Sequence, residues 1–289
     1  MEAMGDLVTL AADSRQPDVV GRTARLEMRF EQRGGRTVLT HSYAEPPFRT
    51  GGVFDLDGAA YVIIVCAGPG IFGGDTLLQS IHVGPGATVV MVSQSALQVH
   101  PDGLDRTAVV RHRYRVDDDA ELRCQWDPVI PFTGSRLDQQ FELRLAPSSR
   151  LYWTEALMAG RVSRDERWRF ASLAHELSVQ TASSLVYLER YALDPSDREV
   201  TRRWITDEAT HLATMLVCHA RADRDAVDSV QCRLAESGLG GIGVDLLEPG
   251  VVVARLMESG GAAFARARAS YRAFVMEAIF GGAEPVARK

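Results

Sequence analysis

A glycine-rich segment behind an apolar strand is the first place where this sequence could support chemistry. The segment CAGPGIFGGD spans residues 66–75, and Gly68, Gly70 and Gly73 have the G-x-G-x-x-G spacing of a dinucleotide-binding turn. Such a turn opens a helix whose N-terminal amides bind the pyrophosphate. Here it is followed by TLLQSIHV and a Gly-Pro-Gly turn, which predicts a strand. We therefore interpret the glycines as turn residues and do not expect a nucleotide site.

Asp75 ends this segment, directly after Gly73 and Gly74. The two glycines permit a positive φ angle or a close approach of two backbone segments. The carboxylate of Asp75 can then either cap the turn or face a polar cavity. The residues alone leave both roles open.

Catalytic motifs are weak elsewhere. Ser93 and Ser95 precede His100, but the sequence lacks the G-x-S-x-G motif of a nucleophile elbow. His175-Glu176 is not followed by the second histidine that a zinc-protease helix requires. The seven histidines and four cysteines are too scattered to predict a stable metal site. We expect no catalytic activity, with a small-molecule hydrolase on a β scaffold as the alternative.

Composition narrows the class of protein further. The 289 residues carry a net charge of −6 and are 46% hydrophobic, as expected of a globular protein with a sizeable core. A nucleic-acid partner is not expected, because no basic cluster is present. No apolar run approaches the roughly 20 residues of a membrane helix. Scattered cysteines without C-x-x-C suit a reducing compartment, so we expect a cytoplasmic protein.

A recurring turn predicts the fold. Segments of the form apolar–four turn residues–any residue–apolar begin at Val83, Val116, Leu145 and Val179, with a fainter copy at Leu56. Repeats of about this length usually stack one supersecondary unit on the next. We predict a mainly β protein of stacked strand–turn–strand repeats, either β-helix-like or a layered antiparallel body. It is preceded by a hairpin that turns at Gly34-Gly35.

Helical periodicity is confined to the C-terminal third, where we predict helices at about 225–237 and 262–280. Between them, a strand pair should turn at Glu248-Pro-Gly250. No linker divides the chain. We therefore predict one domain over residues 23–281, with a flexible arm at 1–22 and a tail at 282–289.

A set of short motifs occurs in a characteristic order over about residues 24–278. The segments are Gly34-Gly35 with Thr37, Pro46-Pro47, GIFGGD at 70–75, VGPGA at 83–87, WDPVIPF at 126–132 with Pro128, Trp153-Thr-Glu155, Gly160-Arg161, Leu188-Glu189-Arg190 and VARL at 253–256. In this order they resemble the urease accessory protein UreD family, also called UreH.

The resemblance implies a β-helix-like fold and a scaffold without catalysis of its own. Members of this family bind apo-urease and UreF, and the GTPase UreG joins through UreF. Nickel released from UreG is implied to reach the urease active site through a polar passage in the UreD subunit. An alternative without a metal role is a β-repeat adaptor protein.

A passage needs weak, exchangeable oxygen ligands, because an ion must leave as easily as it arrives. The candidates for lining it are the acidic residues at turns and strand ends: Asp75, Asp127, Glu155 and Glu189. Buried carboxylates are costly unless they are paired or hydrated. The structural alternative is therefore a pair of local ion pairs, Glu155–Arg161 and Glu189–Arg190.

The second predicted helix offers more aromatic surface than one buried face needs. Phe264, Tyr271 and Phe274 are candidate partner-binding residues, with Arg266, Arg268 and Arg272 at the rim. The alternative is that the aromatic side chains belong to the core.

Overall fold

The computed structural model describes residues 21–197, 199–203 and 205–282. Within them the chain forms eighteen strands and two α-helices, and the second helix continues into a π-helical turn at Met276–Phe280. The strands are β1 (Thr23–Arg33), β2 (Arg36–Ala44), β3 (Phe48–Leu56), β4 (Ala59–Cys66), β5 (Ile71–Phe72), β6 (Thr76–Val83), β7 (Thr88–Ser93), β8 (Leu97–His100), β9 (Ala108–Val116), β10 (Glu121–Gln125), β11 (Val129–Pro131), β12 (Arg136–Leu145), β13 (Arg150–Met158), β14 (Ser172–Gln180), β15 (Leu185–Leu193), β16 (His211–Cys218), β17 (Ile242–Glu248) and β18 (Val251–Glu258). The helices are α1 (Arg224–Glu236) and α2 (Gly261–Val275).

The strands form two sheets, which confirms the predicted mainly β fold of stacked strands. The first sheet has the order β15-β14-β12-β9-β6-β1-β2. The second follows β17-β18-β16-β13-β10-β7-β4-β3, with β5, β8 and β11 attached beside it. In both sheets the central strands are parallel. Of the two arrangements left open by the sequence, the central body therefore has the β-helix-like one.

The recurring turns explain this stacking. Those after Val83, Val116 and Leu145 carry the chain from a strand of the first sheet to the next strand of the second. Each repeat is therefore one coil that contributes a strand to both sheets. The turn after Val179 differs, because it joins β14 to β15 as an antiparallel hairpin within the first sheet. The faint copy at Leu56 is also a hairpin, between β3 and β4.

Side chains alternate across each sheet and fill the space between the two. In β12, for example, Leu137, Phe141, Leu143 and Leu145 are buried, as the period of two in the sequence requires. Complete burial of an aliphatic side chain of this size contributes about 1.5–3 kcal/mol. A few polar side chains occupy inner positions of the same strands, and these form the site described below.

The two helices cover the outer face of the second sheet. The side chain of Asp223 caps α1 by accepting a hydrogen bond from the amide of Ala226 at 2.9 Å. Val227, Val230 and Leu234 point inward as predicted. The predicted hairpins at Gly34-Gly35 and Glu248-Pro-Gly250 are also present.

The predicted arm at 1–22 and tail at 282–289 lie almost wholly outside the described residues, and the division into arm, domain and tail stays a prediction. None of the helices in the described ranges is long and apolar enough to cross a membrane.

Candidate functional site

Four polar side chains lie between the sheets, at inner positions of neighbouring strands. Gln139 on β12, His175 on β14 and Glu189 on β15 project from the first sheet, and Glu155 on β13 faces them from the second. All four are buried. Register places Gln139 beside His175, because β12 and β14 pair in parallel.

Glu155 and His175 form the centre of this group. The imidazole Nε2 lies 2.8 Å from Glu155 Oε1, an ion-pair contact that lacks the alignment of a hydrogen bond. The other carboxylate oxygen accepts a hydrogen bond from the Trp153 indole at 3.1 Å. The His175 ring stacks on Tyr191 with centroids 4.7 Å apart. The indole and the tyrosine ring therefore hold the carboxylate and the imidazole in place.

Gln139 contacts the opposite nitrogen of the same ring. Its Nε2 lies 2.7 Å from His175 Nδ1, while its Oε1 has no hydrogen-bond partner although it is buried. Rotation of the amide by half a turn would set Oε1 to accept from an Nδ1–H group. A metal-binding histidine usually donates its second N–H to such an oxygen, which leaves the first nitrogen free for the ion.

Glu189 completes the site from β15. One ligand atom each from Glu155, His175 and Glu189 lie within 4.8 Å of one another, close enough to bind one cation together. Glu189 also pairs with Arg255 of β18 and accepts hydrogen bonds from Tyr187 at 3.1 Å and Thr214 at 3.3 Å. Burial lowers the pKa of His175, but the carboxylates of Glu155 and Glu189 outweigh it and raise that pKa above its ordinary value. The donor set of two carboxylates and one imidazole suits a divalent transition metal.

A cavity of about 230 Å³, which we call the main cavity, adjoins this group and is also lined by Asp127 and Arg255. A second, smaller cavity of about 80 Å³ shares Trp126, Asp127 and Gln139 with it. The walls of this smaller cavity are mostly apolar, with a few polar side chains that include His112. We call this cavity the neck.

Three of the four predicted acidic residues, Asp127, Glu155 and Glu189, thus line one cavity, and Asp75 does not. Asp75 accepts hydrogen bonds from the amides of Arg22 at 2.9 Å and Phe72 at 2.8 Å, so its carboxylate caps the turn. It also borders an open cleft of about 790 Å³. That cleft shares Leu77 with the neck.

The glycines beside Asp75 are turn residues, as interpreted. A strand follows them instead of a helix. A Cβ atom on Gly73 would lie 2.5 Å from the Arg106 carbonyl oxygen, and Gly74 has a φ of +87°. Close backbone approach and a positive φ therefore both occur here.

The local ion pairs considered as an alternative are not formed. Arg161 pairs with Glu166, and Arg190 pairs with Glu176 on the outer face of the first sheet. Strand alternation is the reason, since Arg190 follows Glu189 directly and must point to the opposite face. The carboxylates of Glu155 and Glu189 pair instead with His175 and Arg255, which come from distant parts of the sequence.

The remaining motif residues lie in the loops between strands. The carbonyl of Pro128 accepts a hydrogen bond from the Leu97 amide at 3.1 Å. Gly160 and Arg161 begin the loop between β13 and β14, and the Arg161 guanidinium stacks over Phe132 at 4.2 Å.

The aromatic residues of α2 pack into the core, which was the alternative to a partner-binding role. Phe264 and Tyr271 are buried against the second sheet, so their side chains are inaccessible to a partner in this structure. Phe274 is partly buried beneath the Arg233 guanidinium at 4.0 Å. Arg268 does not lie at a rim, because it donates hydrogen bonds to Trp126 O and Thr154 Oγ1, both at 2.9 Å. Helix α2 thus contacts the segment after β10 that contains Asp127.

His175, Gln139 and Arg255 are not among the site residues predicted from the sequence. Alternation in Ser172–Gln180 contained a signal for His175, because Leu173, Leu177 and Val179 mark its face as the buried one. For Arg255 no local signal exists, since its exposed side chain reaches Glu189 from the other sheet.

The burial of His112 in the neck can be tested through the pH dependence of stability. Aromatic rings surround its imidazole, with Phe141 at 5.1 Å and Trp126 at 6.1 Å, and burial lowers its pKa to about 3. The folded state therefore favours the neutral ring. Above pH 6.5 the imidazole is neutral in both the folded and the unfolded state, and the free energy of unfolding does not depend on its titration. As the pH drops from 6.5 toward 3, the unfolded state binds a proton that the folded state excludes, and the free energy of unfolding falls by up to about 1.4 kcal/mol per pH unit.

Urea unfolding at pH 7.5 and pH 5 should show this loss in the wild-type chain and a smaller one in His112→Leu. The exposed His41→Leu variant is the control. An equal loss in the wild type and His112→Leu would contradict the assignment.

Comparison with known proteins identifies sequence relatives of this chain. A sequence model of the family described as UreD urease accessory protein matches residues 22–289. The chain is 32% identical to urease accessory protein UreD of Sorangium cellulosum over 204 residues, which span 70% of this chain and 64% of that protein. It is 33% identical to UreD of Deinococcus radiodurans over 175 residues, or 60% and 63% of the two chains. It is also 22% identical to urease accessory protein UreH of Helicobacter hepaticus over 222 residues, or 77% and 86%.

Proposed function

The chain belongs to the UreD urease accessory protein family, and we propose that it supports urease maturation by passing nickel through its interior toward the urease active site. It acts as a scaffold in a cytoplasmic complex with apo-urease, UreF and, through UreF, the GTPase UreG. Nickel is its cargo, and the chain itself performs no catalysis.

The observation that carries this proposal is the interior group of Glu155, His175 and Glu189 beside the cavity that Asp127 lines. Two carboxylates and one imidazole are fewer ligands than a closed structural metal site contains. An ion bound there would keep open positions for water or for the next ligand. Such binding suits transit better than storage.

Cavities that share wall residues support a route rather than an isolated pocket. Asp127 and Gln139 line both the main cavity and the neck, and Leu77 lines both the neck and the cleft beside Asp75. In this proposal Asp75 lies at the cleft end of the route and Glu189 at the other. The neck is small and mostly apolar, so the proposed route requires its walls to move apart when a hydrated ion passes.

The two alternative functions have less support. A hydrolase would need a serine in hydrogen-bond contact with a histidine. Ser93 and Ser95 line the neck with His112, but the Ser93 hydroxyl accepts from the Asp127 amide at 2.7 Å and His112 contacts the Tyr114 hydroxyl at 3.3 Å. An adaptor without a metal role gives no reason to bury two carboxylates and a histidine around a cavity.

Co-expression tests the function directly. Urease subunits, UreF and UreG are produced with and without this chain, and urease activity and bound nickel are measured after purification. We expect urease made without the chain to contain little nickel and to be nearly inactive. Fully active, nickel-loaded urease in the absence of the chain would overturn the proposal.

A further inference from the structure

Arg255 neutralises one of the two buried carboxylates from the solvent side. Its Nη1 binds Glu189 Oε1 and its Nη2 donates to the Tyr187 hydroxyl at 3.0 Å, while that hydroxyl donates to Glu189 Oε2 at 3.1 Å. The guanidinium therefore holds Glu189 both directly and through Tyr187. Arg255 comes from β18 of the second sheet and Glu189 from β15 of the first, so the ion pair bridges the two sheets.

The two partners differ greatly in exposure. The side chain of Glu189 is 5% exposed and that of Arg255 is 54% exposed. Arg255 also lines the main cavity. The guanidinium thus lies between a buried carboxylate and the solvent, and it covers Glu189 on that side.

A metal ion would compete with Arg255 for the same carboxylate. The ligand atoms of Glu189, Glu155 and His175 lie within 4.8 Å of one another, so an ion bound by all three would lie next to the guanidinium. A divalent cation and a guanidinium repel each other strongly at such a distance. Because half of the Arg255 side chain already contacts water, it can turn outward on its flexible stem and become hydrated.

We propose that Arg255 is a displaceable counter-cation: it neutralises Glu189 and covers the cavity in the ion-free chain, and a divalent cation displaces it from the carboxylate. This inference rests on the proposed function, since it assumes that the cation binds at Glu155, His175 and Glu189. A monovalent cation supplies no more charge than the guanidinium already does. Arg255 therefore also favours divalent over monovalent ions.

Nickel binding to the isolated chain tests this role. Titration calorimetry with Ni²⁺ at pH 7.5 would compare the wild type with Arg255→Met, which removes the charge but keeps a long unbranched side chain. We expect Arg255→Met to bind nickel at least about tenfold more tightly, because no competing cation remains. A residue with only a structural role would weaken binding when replaced, so equal or weaker binding overturns the proposal.

Arg190→Met is the matched control. Arg190 pairs with Glu176 on the outer face of the first sheet, so nickel affinity should not change. If Arg255→Met fails to fold with Glu189 unpaired, Arg255→Lys replaces it. The ammonium keeps the charge but lacks the planar fork with which the guanidinium contacts both Glu189 and Tyr187, so we expect affinity between those of the wild type and the methionine variant. Affinity equal to that of the wild type would again overturn the proposal.

The double variant Arg255→Met, Glu155→Gln separates the counter-cation role of Arg255 from the metal site itself. If it loses the nickel binding seen in Arg255→Met, nickel binds in the cavity, at the site where Arg255 competes for Glu189. If nickel affinity depends on Glu155 but not on Arg255, only the counter-cation role fails. If neither residue affects nickel binding, the metal site of the proposed function fails as well.

Discussion

Urease matured with the Glu155→Gln variant of this chain is expected to carry about 10–100-fold less activity and correspondingly less nickel than urease matured with the wild type. Removing a carboxylate that only orients a metal-binding histidine typically has an effect of this size, and the loss of Glu155, a proposed ligand itself, should reach the same range. Glutamine keeps the shape and can still accept the hydrogen bond of the Trp153 indole. It removes the negative charge beside His175 that a divalent cation needs. Urease activity and nickel content after co-expression measure the effect.

Glu176→Gln is the matched control for this substitution. Glu176 follows His175 directly but points to the outer face, where it binds Arg190 at 2.7 Å and Gln140 at 3.0 Å. We expect it to leave urease activation unchanged. Co-purification with the other accessory proteins must be equal in both variants, so that lost delivery is not confused with lost assembly. Normal activation by Glu155→Gln would show that this carboxylate has no part in the route.

The largest effect on stability is expected from Gly160→Ala, at about 3–5 kcal/mol. Gly160 has a φ of +128°, and a Cβ atom there would lie 2.1 Å from the carbonyl oxygen of Glu166. Both the backbone conformation and the loop would have to change. This loop joins the strand that carries Glu155 to the strand that carries His175, so the change reaches the site. Urea unfolding at neutral pH measures the loss.

Gly103→Ala separates the clash from the backbone strain. Gly103 also has a positive φ, +75°, but no atom lies within 4 Å of the position its Cβ would take. We expect a loss of only about 1–2 kcal/mol there, from the left-handed backbone alone. Similar losses in the two variants would mean that contact with Glu166 is not what requires glycine at position 160.

The fold could be predicted from the sequence because its turns repeat. Val83, Val116 and Leu145 each precede four turn residues, and this spacing indicates stacked units without any knowledge of which strands pair. The same pattern could not reveal that the turn after Val179 forms a hairpin. Whether a strand continues into the opposite sheet or folds back depends on which edge is still open, and this is a property of the assembled sheets.

The site was predictable only as far as local sequence determines which way a side chain points. Glu155 and Glu189 were predicted as acidic residues at turns and strand ends, and the structure places both at inner positions of strands beside one cavity. Their partners were not predicted, because His175 and Arg255 come from strands that meet them only across the two sheets. Asp75 is also acidic, but it lies in a turn, where two backbone amides satisfy its carboxylate.

The proposed route requires Glu155, His175 and Glu189 to bind nickel inside the protein. Diffraction from crystals of the chain grown with Ni²⁺, recorded on both sides of the nickel absorption edge, tests this requirement most directly. We predict an anomalous peak in the main cavity, within about 2.0–2.2 Å of His175 Nε2 and a carboxylate oxygen, as for similar metal–ligand bonds. Nickel found only at surface histidines such as His41, with the cavity free of anomalous density, would contradict the proposed route.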